Sequence, residues 1–517
     1  MKEGIIMNKK NIVTGALILT SANLITRILG FVYRIYMSNI IGAEGMGLYQ
    51  LIFPIFILAW TISGSGISLS VSKFVSQENA KKEYGNSGRI LKISVIISAG
   101  IGFIISLFIF FFASFLATSV IKEERTYLSL RILACCIPFM AAASSIKGYF
   151  YGLQEMSKPA IAQVLEQISR MAVIFLFSSL FIHRGISYAC ALAVLGLSAG
   201  EIISFIYIFI AYRYDKNRKK HTKKPSIGIL KSYSLLLSMA IPLTISKFIT
   251  SLLSSIENIM IPQKLQLFGM SANEAIGIYG QFSGMAMPLI FFPSILTGAL
   301  SMTLVPAVSE AKAIKNSRQI HLTTSKSIHF SSLIGIGATC IFIVFSKELG
   351  LVFYNQENVG DMLYSMAWIC PFFYLQSTLS GILNGLGQQM VLFKNNIIGS
   401  LISIGFIYFL IPKLGLLGFI WSVIVSSVAV TLLHLGKVLK FTSISLDLNK
   451  WIIKPALAAT ATGLTSKYIM NNYLLTNFSL SYSLFIILFI LAISYVFFLF
   501  LLQSITVEDI NIIRKNL

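Results

Sequence analysis

The chain has 517 residues, of which 56% are hydrophobic and only 12% charged, far from the balance of a soluble globular protein. Its 41 Lys and Arg against 19 Asp and Glu give a formal net charge of +22, but the cations gather in every second loop, as they do on a cytoplasmic membrane face. That distribution argues against a nucleic-acid partner and points to an all-α, polytopic membrane protein.

The opening KEGIIMNKK and the apolar run after it have the outline of a signal peptide, yet the run is long, lacks a small-residue cleavage site and precedes many similar runs. It is expected to be an uncleaved first helix, with Met7 as an alternative start. About fourteen apolar runs of roughly 20 residues follow one another with short polar joints. Assigning alternate loops to the two sides leaves the basic face ahead by about three to one, which puts both termini in the cytoplasm.

Helix 1 carries TSANLITRILGFVYR. Thr20, Asn23, Arg27, Gly30 and Arg34 recur every three or four residues and so share about a quarter of the helix surface. An arginine at bilayer depth costs on the order of 3 kcal/mol or more unless it meets a partner, water or a ligand, so this seam is expected to face a cavity. Arg27 lies about 24 Å along a helix starting near Asn11. Two plainer roles compete: Arg34 as an anchor at the head groups and Arg27 as the partner of a carboxylate. Helix 5 has a second seam in Gln163, Glu166, Gln167 and Arg170, where Glu166 and Arg170 are spaced to neutralise each other. Glu201 stands in helix 6.

The run RYDKNRKKHTKKPSIGILK at 213–231 is a solvated linker or one facing anionic lipid head groups. A cysteine placed at Asn217 in a cysteine-free background is therefore expected to resist an impermeant thiol reagent in intact cells; labelling would invert the topology. Beyond the linker, helix 7 carries a third seam, Lys247, Thr250, Ser254 and Glu257.

The halves on either side of the linker repeat. GLYQLIFP at Gly47 matches GIYGQFSG at Gly277, FVSQ ending at Gln77 matches AVSE ending at Glu310, and GYFYG at Gly148 matches GILNG at Gly381. The offset stays between about 230 and 233 over six helices, so the copies are expected to be parallel lobes. The predicted organisation is 1–212 as the first six-helix lobe, 213–228 as the cytoplasmic linker, 229–440 as the second lobe, and 441–517 as two further helices with a cytoplasmic tail. The GxxxG pairs Gly148/Gly152 and Gly381/Gly385 are read as close helix packing.

No nucleotide-binding loop, zinc-protease motif or catalytic outer loop is visible. The five cysteines lie in apolar runs without a CxxC pair and read as small core residues. No cofactor, metal or enzymatic activity is expected. Cations lining a membrane cavity suit a phosphate or diphosphate, since Arg offers a planar fork and Lys a compact charge. The candidate substrate-binding residues are Asn23, Arg27, Arg34, Glu166, Arg170, Lys247 and Glu257.

TRILGFVYR at Thr26, GAEGMGLYQ at Gly42, the basic linker and GIYGQFSGMAMPLIFFPSILTGALSMTLVPAVSE from Gly277 together resemble the stage V sporulation protein B family, of the polysaccharide-transporter branch of the multidrug and oligosaccharidyl-lipid exporter superfamily. The resemblance covers essentially the whole chain. It implies a two-lobe bundle that moves undecaprenyl-diphosphate-linked sugars across the cytoplasmic membrane for spore cortex peptidoglycan. The related lipid II flippases have fourteen helices and a similar Arg-x-Leu-Gly-Phe motif, which falls on Arg27. They carry an aspartate near their second helix-1 arginine and an arginine after a Tyr-Ala pair in helix 8, where this chain has Tyr33 with Arg34 and Gly280, Gln281 and Phe282. Their last two helices extend a groove for the lipid tail. The competing readings are a drug or cation antiporter of the same superfamily and a membrane-embedded cell-wall glycosyltransferase or polymerase.

Overall fold

Apolar runs of this length satisfy their backbone polar groups internally only as helices, and in the computed structural model the described residues contain helices and no strand. The structure describes residues 2–218, 225–442, 444 and 447–505, with side chains from residue 21 onward except at 216–218. Much of the linker, including the side chain of Asn217, and the side chain of Thr20 fall outside them.

Twelve helices among the described residues are long and apolar enough to cross a membrane. The first, α1 (Lys2–Trp60), has 59 residues and would reach about 90 Å against a hydrocarbon core of about 30 Å, so it is not one crossing. It breaks at Gly42 (φ 71°, ψ −179°), a left-handed conformation that glycine adopts without a Cβ clash. The expected fourteen passes are reached only if this rod counts twice and the interrupted helical stretch from Asn449 to Leu474 once more.

The chain forms two compact units, one of residues 1–263 with 271–280 and one of 264–270 with 281–517. In the first unit α1 is followed by α2 (Gly66–Ala80), α3 (Tyr84–Phe111), α4 (Tyr127–Gly152), α5 (Ser157–Ile182), α6 (Ile186–Arg218) and α7 (Ile229–Leu267). Up to Gln263, α7 belongs with this unit rather than beginning the second. Its lead-in is tied there: the backbone N–H groups of Ser226 and Ile227 donate to Asn86 Oδ1 at 2.9 and 3.1 Å, and Leu236 and Ala240 join a core built on Val71, Leu91 and Phe150.

The second unit contains α8 (Ser294–Ala313), α9 (Ser317–Val344), α10 (Ser346–Tyr354), α11 (Glu357–Met366), α12 (Cys370–Gly385), α13 (Gln389–Phe409) and α14 (Leu416–Thr442). The apolar run that begins at Gly277 is broken at Phe292 and Pro293, because proline supplies no N–H to the helical ladder. The last two, α15 (Lys454–Ile469) and α16 (Leu480–Leu501), pack on each other, and α15 packs on α9.

The repeat in sequence is a repeat in packing. Ser106 Oγ donates to the Ala134 carbonyl at 2.6 Å, and 233 residues later Thr339 Oγ1 donates to the Ala367 carbonyl at 3.0 Å. Ser145 and Ser98 hydroxyls meet at 2.9 Å, as their counterparts Thr378 and Ser331 do at 2.5 Å. The GxxxG pairs follow the same register. A Cβ on Gly148 would stand 2.5 Å from the Ser68 carbonyl oxygen, and one on Gly381 would stand 2.6 Å from that of Ser301. Only glycine admits these crossings. Gly381→Val is accordingly expected to cost about 1–3 kcal/mol or more, read as a lower thermal midpoint of the purified protein; an unchanged midpoint would show that the crossing relaxes freely.

Four cysteines are buried, as small core residues are expected to be, but Cys135 is exposed. It falls on the outward side of α4, between Ala134 and Cys136, which stand about 100° to either side of it and are buried. No cysteine among the described residues is in a disulfide.

Candidate functional site

Among the helices of the first unit lies a cavity of about 440 Å³. It takes Asn23 and Thr26 from α1, Lys147 from α4, Gln163, Glu166, Gln167 and Arg170 from α5, and Glu201 from α6. Arg170 sits halfway along a 26-residue helix, where an ionised group is retained only if it is compensated. The compensation is visible. An Arg170 Nη donates to Glu166 Oε1 at 2.7 Å and stands 3.7 Å from Glu201, while Lys147 lies 3.7 Å from the other oxygen of Glu166. Two cations and two acids, each side chain at most 16% exposed, make a network with no formal net charge.

The Glu166–Arg170 pair follows from its spacing of four on one helix. Lys147 is what the sequence did not single out: it stands five residues before the end of α4, about 7 Å inside the helix, yet it resembled a loop cation. The length of α4 before Gly152 was the available signal. The network leaves groups unsatisfied. The amide oxygens of Gln163 and Gln167 and the Nε of Arg170 are buried without a hydrogen-bond partner, an arrangement that costs free energy.

The helix 1 seam divides. At about 100° per residue, Thr26 lies about 60° to one side of Asn23 and Arg27 about 40° to the other. The cavity takes the Asn23 and Thr26 side, and Gly30 faces Gln167. Arg27 is exposed and Arg34 half-buried; neither lines the cavity, and no ion pair joins Arg27 to Glu257 among the described residues. The helix 7 seam divides as well. Thr250 and Ser254 line a second cavity of about 310 Å³ with Ser251, Asn258 and Gln50, and its Phe53 and Ile57 wall is shared with the first. Lys247 is half-buried with its ammonium 5.9 Å from the centre of the Trp60 ring, and Trp60 lines the first cavity. Glu257 is half-buried and lines neither.

The profile of the polysaccharide biosynthesis protein family matches residues 12–312, and that of the MatE family matches 242–409. Stage V sporulation protein B of Bacillus subtilis (strain 168) is 33% identical over 451 residues, 86% of this chain and 87% of that one. The lipid II flippase MurJ of the same organism is 26% identical over 429 residues, 75% of each chain. Among solved structures, lipid II flippase MurJ in an inward closed conformation superposes with a TM-score of 0.66 at 18% identity, covering 93% of this chain and 98% of that one. None of the relatives or structures just named is called a glycosyltransferase or polymerase. With a family profile spanning more than half its length and a relative of one-third identity over most of it, this multi-pass membrane chain belongs to the polysaccharide biosynthesis protein family.

Proposed function

We propose that the protein is a flippase that carries an undecaprenyl-diphosphate-linked saccharide, a peptidoglycan precursor of the lipid II kind, across the cytoplasmic membrane by alternating access. The observation that carries this reading is a charged, polar cavity halfway along the membrane helices, in a chain whose relatives include a lipid II flippase. Such a cavity lets a sugar head group cross without touching hydrocarbon while the isoprenoid tail stays in lipid. Arg27 and Lys247 are the candidates for the diphosphate. Both termini and the linker are cytoplasmic in this scheme, the linker facing anionic lipid. The similarity to a stage V sporulation protein supports a role in spore cortex synthesis.

A drug or cation antiporter is the second reading, favoured by the MatE match over residues 242–409. The two are separated by removing the protein and measuring which undecaprenyl-linked species accumulates on the cytoplasmic leaflet. Accumulation of one species supports the flippase, and no accumulation of any sinks it.

A further inference from the structure

At the end of the first unit opposite the linker, four segments are tied to one another. Their place follows from chain direction. The first turn of α3 carries Asn86, which holds the lead-in of α7, so the end of α3, the start of α4 and the end of α7 lie at the far end. Arg125 is the centre of the tie. Its Nη1 donates to Glu44 of α1 at 2.5 Å, and its Nε and Nη2 donate to the two carboxylate oxygens of Glu123 at 2.5 and 3.0 Å. The Gln263 amide donates to the Val120 and Ile121 carbonyls at 3.3 and 3.4 Å, which fastens α7 beside the same turn. A further closure is backbone on backbone. A Cβ on Gly47 would overlap the Ile276 carbonyl, and one on Gly280 the Ala43 carbonyl, so α1 and the chain around the short helix Ala272–Tyr279 cross at the closest approach glycine allows.

Two observations set the Arg125–Glu44 pair apart from ordinary packing. Glu44 stands two residues beyond Gly42, whose φ of 71° divides α1 into two rods, so the pair grips the second rod at its root. The other observation is the repeat. The turn before Arg125 recurs 233 residues on, with Lys122 and Asn355 both left-handed at φ 60° and 53°, but Asn358 then stands in the place of Arg125. Glu44 has Glu274 as its counterpart at the offset of 230, and Glu274 turns back on its own helix, accepting from the Ser271 N–H at 2.9 Å in a capping box. The second copy is thus built without this ion pair, which the architecture itself does not require. Both side chains are also about a quarter exposed, where an ion pair is weak enough to part and re-form.

We propose that Arg125 and Glu44 form a latch at the outer end of the first unit. Paired, they hold the second rod of α1 closed over the cavity of about 310 Å³; parted, they let that rod swing about Gly42 and open the cavity outward. The rod supplies Gln50, Phe53, Pro54 and Ile57 to the cavity wall, and Tyr279, beside the backbone crossing, donates its hydroxyl to Asn258 on the same wall at 3.0 Å. Movement at the latch therefore reaches the cavity through contiguous contacts. The inference rests on the alternating-access reading and adds to it the groups that hold one of its states.

The test needs no lipid substrate. In intact cells, Ser254→Cys in a cysteine-free background places one thiol on the cavity wall, and its labelling by an impermeant reagent added outside measures how often the outer end stands open. Glu44→Ala is expected to raise the labelling rate by about three- to tenfold while the thermal midpoint of the purified protein holds. Glu123→Gln keeps an acceptor for Arg125 and links no second helix, so its rate is expected to stay within about twofold of the parent. If Glu44→Ala does not accumulate, Glu44→Asp, one methylene shorter, carries the same comparison. No rise on loss of Glu44 would overturn the latch. An equal rise with Glu123→Gln would mean only a loosened turn and overturn it as well, and a rise accompanied by a lowered midpoint would make the pair a structural tie. Labelling as expected, in a protein whose removal accumulates no undecaprenyl-linked species, would sink the flippase reading and leave the latch standing.

Discussion

Arg170→Ala is expected to destabilise the purified protein by about 3–5 kcal/mol, and Arg170→Ala/Glu201→Gln to recover most of that loss. Arg170 is the only cation within ion-pair distance of Glu201 among the described residues, at 3.7 Å, and it also binds Glu166 at 2.7 Å. Its removal leaves two carboxylates, at most 14% exposed, with Lys147 alone to compensate them. A buried charge left without its partner costs more than the pair ever contributed, because the desolvation penalty survives while the attraction does not. Neutralising Glu201 restores the balance, since Lys147 still faces Glu166 at 3.7 Å. Additive losses in the double variant would show that the three groups do not act as one network. The measurement is the loss of monodisperse protein with temperature in detergent. A stable Arg170→Ala protein would mean that the cavity is wet enough to solvate both acids.

That network also shows how far the sequence could be read. Period and offset are local or register properties, and they carry well. The spacing of four between Glu166 and Arg170 gives their ion pair, and the offset of 233 gives matched hydrogen bonds at Ser106 and Thr339. What fails is azimuth and partnership. A seam spread over a quarter of helix 1 does not say which edge of it meets the neighbouring helix. The structure turns Asn23 and Thr26 inward and leaves Arg27 outside. The meeting of Lys147 with Glu166 joins helices whose contact no spacing within either one encodes. The basic linker, so marked in the sequence, does not bound the compact units either. Helix α7 follows the linker yet packs with the first unit up to Gln263, because its apolar residues Leu236 and Ala240 complete that core. The division into lobes at the linker therefore stays a proposal drawn from the repeat, distinct from the division by contacts.

Arg27→Ala is expected to lower transport by about ten- to a hundredfold with expression intact, which corresponds to one charge-assisted contact of roughly 1.5–3 kcal/mol. Arg27 is exposed and joined to no carboxylate among the described residues, so its loss strands no buried acid and is not expected to lower stability. This sets it apart from Arg170, whose replacement is read first in stability. Lys247→Ala is expected to behave like Arg27→Ala, because the contact recorded for its ammonium is the Trp60 ring at 5.9 Å, and a cation beside an aromatic face remains free to meet an anion. Arg27→Lys is expected to remain impaired, since a compact ammonium cannot reproduce the bidentate fork on a phosphate. The rival role, neutralisation of Glu257, makes the opposite forecast: Arg27→Ala would destabilise the protein, and Arg27→Ala/Glu257→Gln would restore stability and transport together. Rescue by that double change would remove Arg27 from the diphosphate site. Continued inactivity of a well-expressed double variant, with weaker binding of undecaprenyl diphosphate lacking any sugar, would fix the phosphate at Arg27.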